Sequence, residues 1–160
     1  MEPDIRTIGE KKLVGKRLTM SFTSNRTHEL WRSFMSRRKD IVNVTGTDLY
    51  SLQIYAPGFF APFTPDAQFE KWALVEAADF DNVPEGMETF VLPAGLYAVF
   101  IHKGPASEGE RTFRYIFTTW LPVSGFELDD RPHFEILGAK YRNDHPDSEE
   151  EIWIPIRPQN

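Results

Sequence analysis

The stretch SEGERTFRYIFTTWLP, Ser107–Pro122, decides the fold. Phe113, Ile116, Phe117, Trp120 and Leu121 fall at i, i+3, i+4, i+7 and i+8, the apolar stripe of a helix that buries one side. Ser107 followed by Glu110 matches a capping box, in which hydroxyl and carboxylate satisfy each other's orphan backbone N–H groups. Pro122 and Gly125 close the helix. Upstream, Glu88–Lys103 is strand material broken at Pro93-Ala94-Gly95. Downstream, His133–Ala139 and Glu150–Ile156 read as strands on either side of a polar turn, Asn143–Asp147. The order is β-α-β-β.

The same order precedes it. Lys12–Phe22 reads as a strand, and Ser24–Thr27 supplies N-cap residues for a helix carrying Leu30, Trp31, Phe34 and Met35. Strands Leu49–Tyr55 and Phe69–Ala77 follow, separated by a loop rich in Pro and Phe, Ala56–Pro65. The helices around Ser33 and Phe117 lie 84 residues apart, and Leu49–Tyr55 maps on His133–Ala139 at that offset. The last strands align at an offset of 81, pairing Trp72 with Trp153. Such self-similarity predicts one domain over residues 1–160 with two pseudo-repeats, about 12–78 and 88–157, around a pseudo-twofold axis. The expected fold class is α+β: an antiparallel sheet with two helices on one face, because both stripes need a common partner. The other face is then available for a ligand cleft.

Composition narrows the function. With 160 residues, 41% hydrophobic, 26% charged and no cysteine, the chain is neither a disordered segment nor a disulfide-stapled scaffold. Its longest apolar runs, such as Leu96–Ile101, fall short of the roughly 20 residues that span a bilayer, so no membrane role is expected. Met1–Lys12 lacks the apolar core of a signal peptide, which points to the cytoplasm and makes the sequons at Asn25 and Asn43 chance matches. Residues 1–40 hold 10 of the 18 Lys and Arg but 5 of the 24 Asp and Glu. The net charge of −6 and the absence of a nucleic-acid-binding motif argue against direct nucleic acid binding. Arg37-Arg38-Lys39 fits a helix C-terminus. Four scattered histidines make no metal site, and no cofactor motif is present.

Side chains alternate across a strand. Ile152, Ile154 and Ile156 therefore share a side, assigned to the helices, and Glu151 and Trp153 take the other. Placing Phe134 and Ile136 with the isoleucines leaves His133, Glu135 and Leu137 opposite. Placing Tyr50, Leu52 and Ile54 there too leaves Ser51, Gln53 and Tyr55 opposite, and Trp72 follows Trp153. The helix-free face then collects Trp72, Trp153, Tyr55, Gln53, Glu135 and Glu151. Carboxylates among aromatic rings suit a cationic or amphipathic organic molecule, through stacking, cation–π attraction and counter-charge. A Glu149-Glu150-Glu151 run is more often a solvated strand start, and Trp153 fits a cover for the sheet or a dimer interface equally. Glu135 stands out because it lies between Phe134 and Ile136 in a strand. The loop Ala56–Pro65, with Phe59, Phe60 and Phe63, is either a lid or a segment tucking its rings into the core.

Several segments carry a resemblance: Val83–Glu88, Leu92–Phe100, His102-Lys103-Gly104-Pro105, Trp120-Leu121-Pro122, Arg131–Glu135 and Glu151–Ile156. In order and spacing they resemble the GyrI-like small-molecule-binding family, also known as the effector-binding domain of AraC-type transcription regulators. The likeness spans nearly the whole chain and is weakest before about residue 45. It implies a duplicated β-α-β-β fold with a cleft between the halves and, in ligand-binding members, a glutamate facing aromatic residues and pairing with cationic, hydrophobic compounds. By motif position that glutamate is Glu135; Glu151 matches a second acidic position and Trp153 a common aromatic. An aromatic frequently stands two residues after the glutamate. Here Leu137-Gly138 occupy that place, with Tyr141 or Phe59 as substitutes. The DNA-binding segment of AraC-type and MerR-type regulators is not found, so a stand-alone form is expected.

Three readings follow. The first is a binding protein for a hydrophobic, cationic small molecule, with Glu135 as counter-charge. The second is a protein partner engaged by an acidic surface, as the gyrase-inhibitor name implies. Some relatives resemble hydrolases of strained electrophilic small molecules, and the third reading gives Glu135 the part of base beside Tyr55 or Tyr141.

Overall fold

The computed structural model describes residues 1–142 and 144–160; Asn143, at the head of the expected polar turn, lies outside them. The chain runs β1 (Asp4–Ile8), β2 (Lys11–Met20), α1 (Thr27–Arg37), β3 (Leu49–Ile54), β4 (Phe69–Glu76), β5 (Glu88–Leu92), β6 (Gly95–Lys103), α2 (Gly109–Tyr115), β7 (Phe126–Leu128), β8 (His133–Leu137) and β9 (Glu149–Pro158). Nine strands form one sheet in the order β1-β6-β9-β8-β3-β4-β2-β5, with β7 added on β9. All pairings are antiparallel. The fold is α+β, with β2-α1-β3-β4 in one half and β6-α2-β8-β9 in the other. No described helix is long and apolar enough to cross a membrane.

Two strands carry no signal in the sequence. β1 has no apolar alternation and is exposed along most of its length, while β7 has only three residues. Their partners create them: β1 pairs with β6 and β7 with β9.

The links between strands determine the shape of the sheet. Gly9-Glu10 alone joins β1 to β2, and Pro93-Ala94 alone joins β5 to β6, yet β1 and β6 stand at one end of the strand order and β2 and β5 at the other. Three Cα–Cα steps reach at most about 11 Å. The sheet must therefore curl until its ends approach. Its inner face closes on its own core, where Leu13, Leu52, Leu92, Tyr97, Phe134 and Trp153 pack together. Both helices cover the outer face. α1 buries Leu30 and Phe34 in a cluster with Val14, Ala73 and Val75. The helix begun by α2 buries Ile116 in a cluster with Ala98, Phe100, Ile152, Ile154 and Ile156.

This curl and the strand register correct the expected assignment of faces. Residues directly opposite each other on neighbouring strands share a face. Ala73, Ser51, Glu135 and Ile152 are successive partners across β4, β3, β8 and β9, so Glu135 lies on the helical side with Ile152. Trp72, Leu52, Phe134 and Trp153 form the next rung and point into the inner core. Tyr50 joins them there rather than under the helices. The helix-free face is filled by rings and leaves no ligand cleft at these positions.

The helix starts also differ from expectation. The Ser107 hydroxyl donates to Asp144 Oδ1 at 2.8 Å instead of capping α2, because Ala106–Glu108 form a 3-10 turn ahead of the helix. At α1 the N-cap position falls to Arg26, which makes no side-chain cap, and Asn25 Oδ1 instead accepts from Thr27 N at 2.9 Å in a turn just ahead of the helix. After Tyr115 the second helix widens into a π turn over Ile116–Trp120, a device that often re-aims side chains at functional sites.

Candidate functional site

Register places four polar side chains on the helical face beside the junction of the two halves. Lys71 of β4 pairs with Gln53 of β3, which pairs with His133 of β8; Glu135 follows two residues on. They line a cavity of about 730 Å³. Its walls are aromatic. Phe113 and Phe117 come from the second helix, where spacing of four residues puts both on one side, and Phe22, Phe60 and Phe63 come from loops. Phe60 stacks on Phe117 with centroids 5.4 Å apart, and Tyr55 meets the His133 ring edge-on at 5.1 Å. At the rim, Arg114 pairs with Glu110 at 2.9 Å.

Burial governs the electrostatics. It pushes the Glu135 carboxyl up to about 7, against the pull of Lys71 and the Gln53 hydrogen bond and with help from Glu150. The same loss of water lowers Lys71, which Glu135 and Glu150 partly restore. His133 is lowered to about 3 by burial and by Arg131, so its ring is neutral at physiological pH. The Tyr55 phenol is held well above its ordinary value by burial and by Glu135. The Gln53 amide satisfies its surroundings with its nitrogen facing β8, donating to Glu135 Oε2 at 3.1 Å and to the His133 carbonyl at 3.3 Å. Among the described residues, no cation approaches Glu135 within the 4.0 Å of an ion pair.

The residues expected at the site are divided by the sheet. Glu135, Gln53 and Tyr55 line the cavity together. Trp72, Trp153 and Glu151 lie on the opposite side, in two matching arrangements. Trp72 Nε1 donates to Glu70 Oε1 at 2.6 Å beneath Arg17, and Trp153 Nε1 donates to Glu151 Oε1 at 3.0 Å beneath Arg6. Glu151 is therefore the partner of an indole N–H. Tyr141 sits in the turn after β8, with its N–H donating to the Gly138 carbonyl, and is not on the cavity wall. Phe59 is buried in the α1 core against Tyr55 and Phe69, whereas Phe60 and Phe63 reach the cavity. The Ala56–Pro65 loop thus serves both core and cavity.

Sequence reasoning missed Lys71 and Glu150. Glu150 pairs across from His102 and shares the face of Ile152, and burial raises its carboxyl. Alternation from Ile152 carried that signal; assigning Glu135 to the wrong face hid it. Phe113 and Phe117 were legible as a helical stripe but not as a cavity wall. Among the described residues, no three His, Asp or Glu side chains converge as a metal ion requires.

Comparison with known proteins agrees with this architecture. The profile of the GyrI-like small molecule binding domain matches residues 1–157. The transcriptional regulator BrlR of Pseudomonas aeruginosa is 32% identical over 129 residues, which are 80% of this chain and 45% of that protein. The chain thus spans less than half the length of this curated relative. Among solved structures, SAV2435 bound to tetraphenylphosphonium superimposes with a TM-score of 0.77 at 14% identity, covering 98% of this chain and 94% of that one. EcmrR in a DNA complex gives a TM-score of 0.72 at 18% identity, covering 99% of this chain and 58% of that one. At such identities the two structures share the fold.

Proposed function

The chain belongs to the GyrI-like small-molecule-binding family, and we propose that it takes an aromatic organic cation into the cavity between its helices, with Glu135 as the counter-charge. One observation carries this reading. Glu135 is a carboxylate held among rings, with one amide donor and no cation in ion-pair contact among the described residues. A buried carboxylate is costly to ionise, and an incoming cation relieves that cost. The rings add cation–π attraction and apolar contact. That a fold neighbour is bound to tetraphenylphosphonium supports the choice of this cation as a probe.

The test compares tetraphenylphosphonium with neutral triphenylphosphine oxide by calorimetry, on the native chain and on Glu135→Gln. The expected result is a loss of about tenfold to a hundredfold for the cation in the variant, with little change for the neutral compound. An equal loss for both compounds refutes the counter-charge.

A further inference from the structure

We propose that Lys71 gives the cavity a second, positively charged pole and so makes it select aromatic ligands that carry an anionic group as well as a cationic one. This rests on the cavity reading above and narrows the ligand class within it.

The argument starts from the charges on the wall. Glu110 and Arg114 neutralise each other at the rim, and Glu150, off the wall beside His102, acts on Lys71 and Glu135 from a distance without forming an ion pair with Lys71. One ammonium, Lys71, and one carboxylate, Glu135, remain inside. They are not paired. Gln53 lies between them, and β4 and β8 flank β3, so their backbones are two strand spacings apart, about 10 Å. The Nζ of Lys71 donates one hydrogen bond, to Thr27 Oγ1 at 3.1 Å, and its other two donors meet no protein acceptor among the described residues. Thr27 opens α1, whose positive end adds to the same pole.

A ligand bearing only a cation satisfies Glu135 but adds a second positive charge near a partly buried ammonium. A ligand that also carries a carboxylate neutralises both poles and supplies the acceptors that Nζ lacks. Removing charge from water is tolerated when the charges are paired and costly when one is left over.

The experiment uses pentyltriphenylphosphonium and its isostere (carboxybutyl)triphenylphosphonium, titrated into the native chain, Lys71→Met and Lys71→Arg at about pH 8, where an alkyl carboxylic acid is ionised. Melting curves verify that each variant is folded. The native chain is expected to bind the carboxylate compound at least about tenfold more tightly than the pentyl compound. Lys71→Met should erase that preference and Lys71→Arg should keep it. Equal affinities in the native chain, or a preference that survives Lys71→Met, overturn the second pole while leaving the cation cage standing. Failure of both compounds to bind the native chain overturns the cage and this proposal together.

Discussion

The side-chain amide of Gln53 donates to Glu135 Oε2 over 3.1 Å, from a neighbouring strand and from the same face. That bond is the only one a protein side chain makes to this carboxylate among the described residues. The carboxylate is otherwise enclosed by rings and by its own sheet. Loss of hydration makes this carboxylate, which faces the cavity, harder to ionise.

Stability should therefore depend on pH through Glu135. Its folded value, about 7, lies above its ordinary value of 4.5, so the folded chain holds the proton more tightly. The associated stability is fully present below the ordinary value and is lost as pH rises through about 7. Glu135→Gln should be more stable than the native chain at about pH 8, by up to about 3 kcal/mol, and should lose that advantage at acid pH. Urea denaturation at both pH values measures it; an unchanged difference between them contradicts the assignment.

His133 acts in the opposite sense. Its folded value, about 3, lies below its ordinary value of 6.5, so the unfolded chain binds its proton more readily and stability falls as pH drops through that interval. His133→Asn should flatten the acid limb of the stability curve. A limb of unchanged slope would show that other groups carry it.

Cation binding competes with the proton on Glu135. Affinity for tetraphenylphosphonium should fall below about pH 7, approaching tenfold per pH unit. In Glu135→Gln the profile should be flat. Calorimetry across this range reads the slope directly.

The aromatic loop separates into two functions. Phe59→Ala, in the α1 core, should cost about 3 to 5 kcal/mol of stability. Phe60→Ala should cost less and weaken tetraphenylphosphonium binding, because Phe60 contributes a wall against Phe117. Equal effects on melting and on binding from both variants would contradict the division.

Trp153 packs on Phe134 with ring centroids 5.3 Å apart inside the curled sheet. Trp153→Ala should lower stability by about 3 to 5 kcal/mol. The folded fraction should bind tetraphenylphosphonium within about twofold of the native affinity, as sites without shared partners act independently. A larger loss of binding would put Trp153 back among the ligand contacts.

The periodicities of the sequence determined the elements. Phe113, Ile116 and Phe117 specify a helix, alternation specifies β3, β4, β8 and β9, and the repeated order specifies the α+β class. Glu135 was legible as a candidate because a carboxylate between Phe134 and Ile136 is rare in a strand, and alternation grouped Gln53 and Tyr55 with it, though on the wrong face. Which face each strand turns to the helices was decided only in three dimensions. Alternation divides one strand into two sets but does not tie a set on β8 to a set on β9. Around β3 both sets contain aromatic rings, Tyr50 on one side and Tyr55, just past its end, on the other, so composition does not choose between them. The choice follows from the register Glu135 opposite Ile152 and from two short links that draw the ends of the sheet together. Once the sheet curls, the face with the larger unbroken apolar set, Leu52, Phe134 and Trp153, must go inside, and the face with the gaps, Ser51, Gln53 and Glu135, is left to line a cavity beneath the helices.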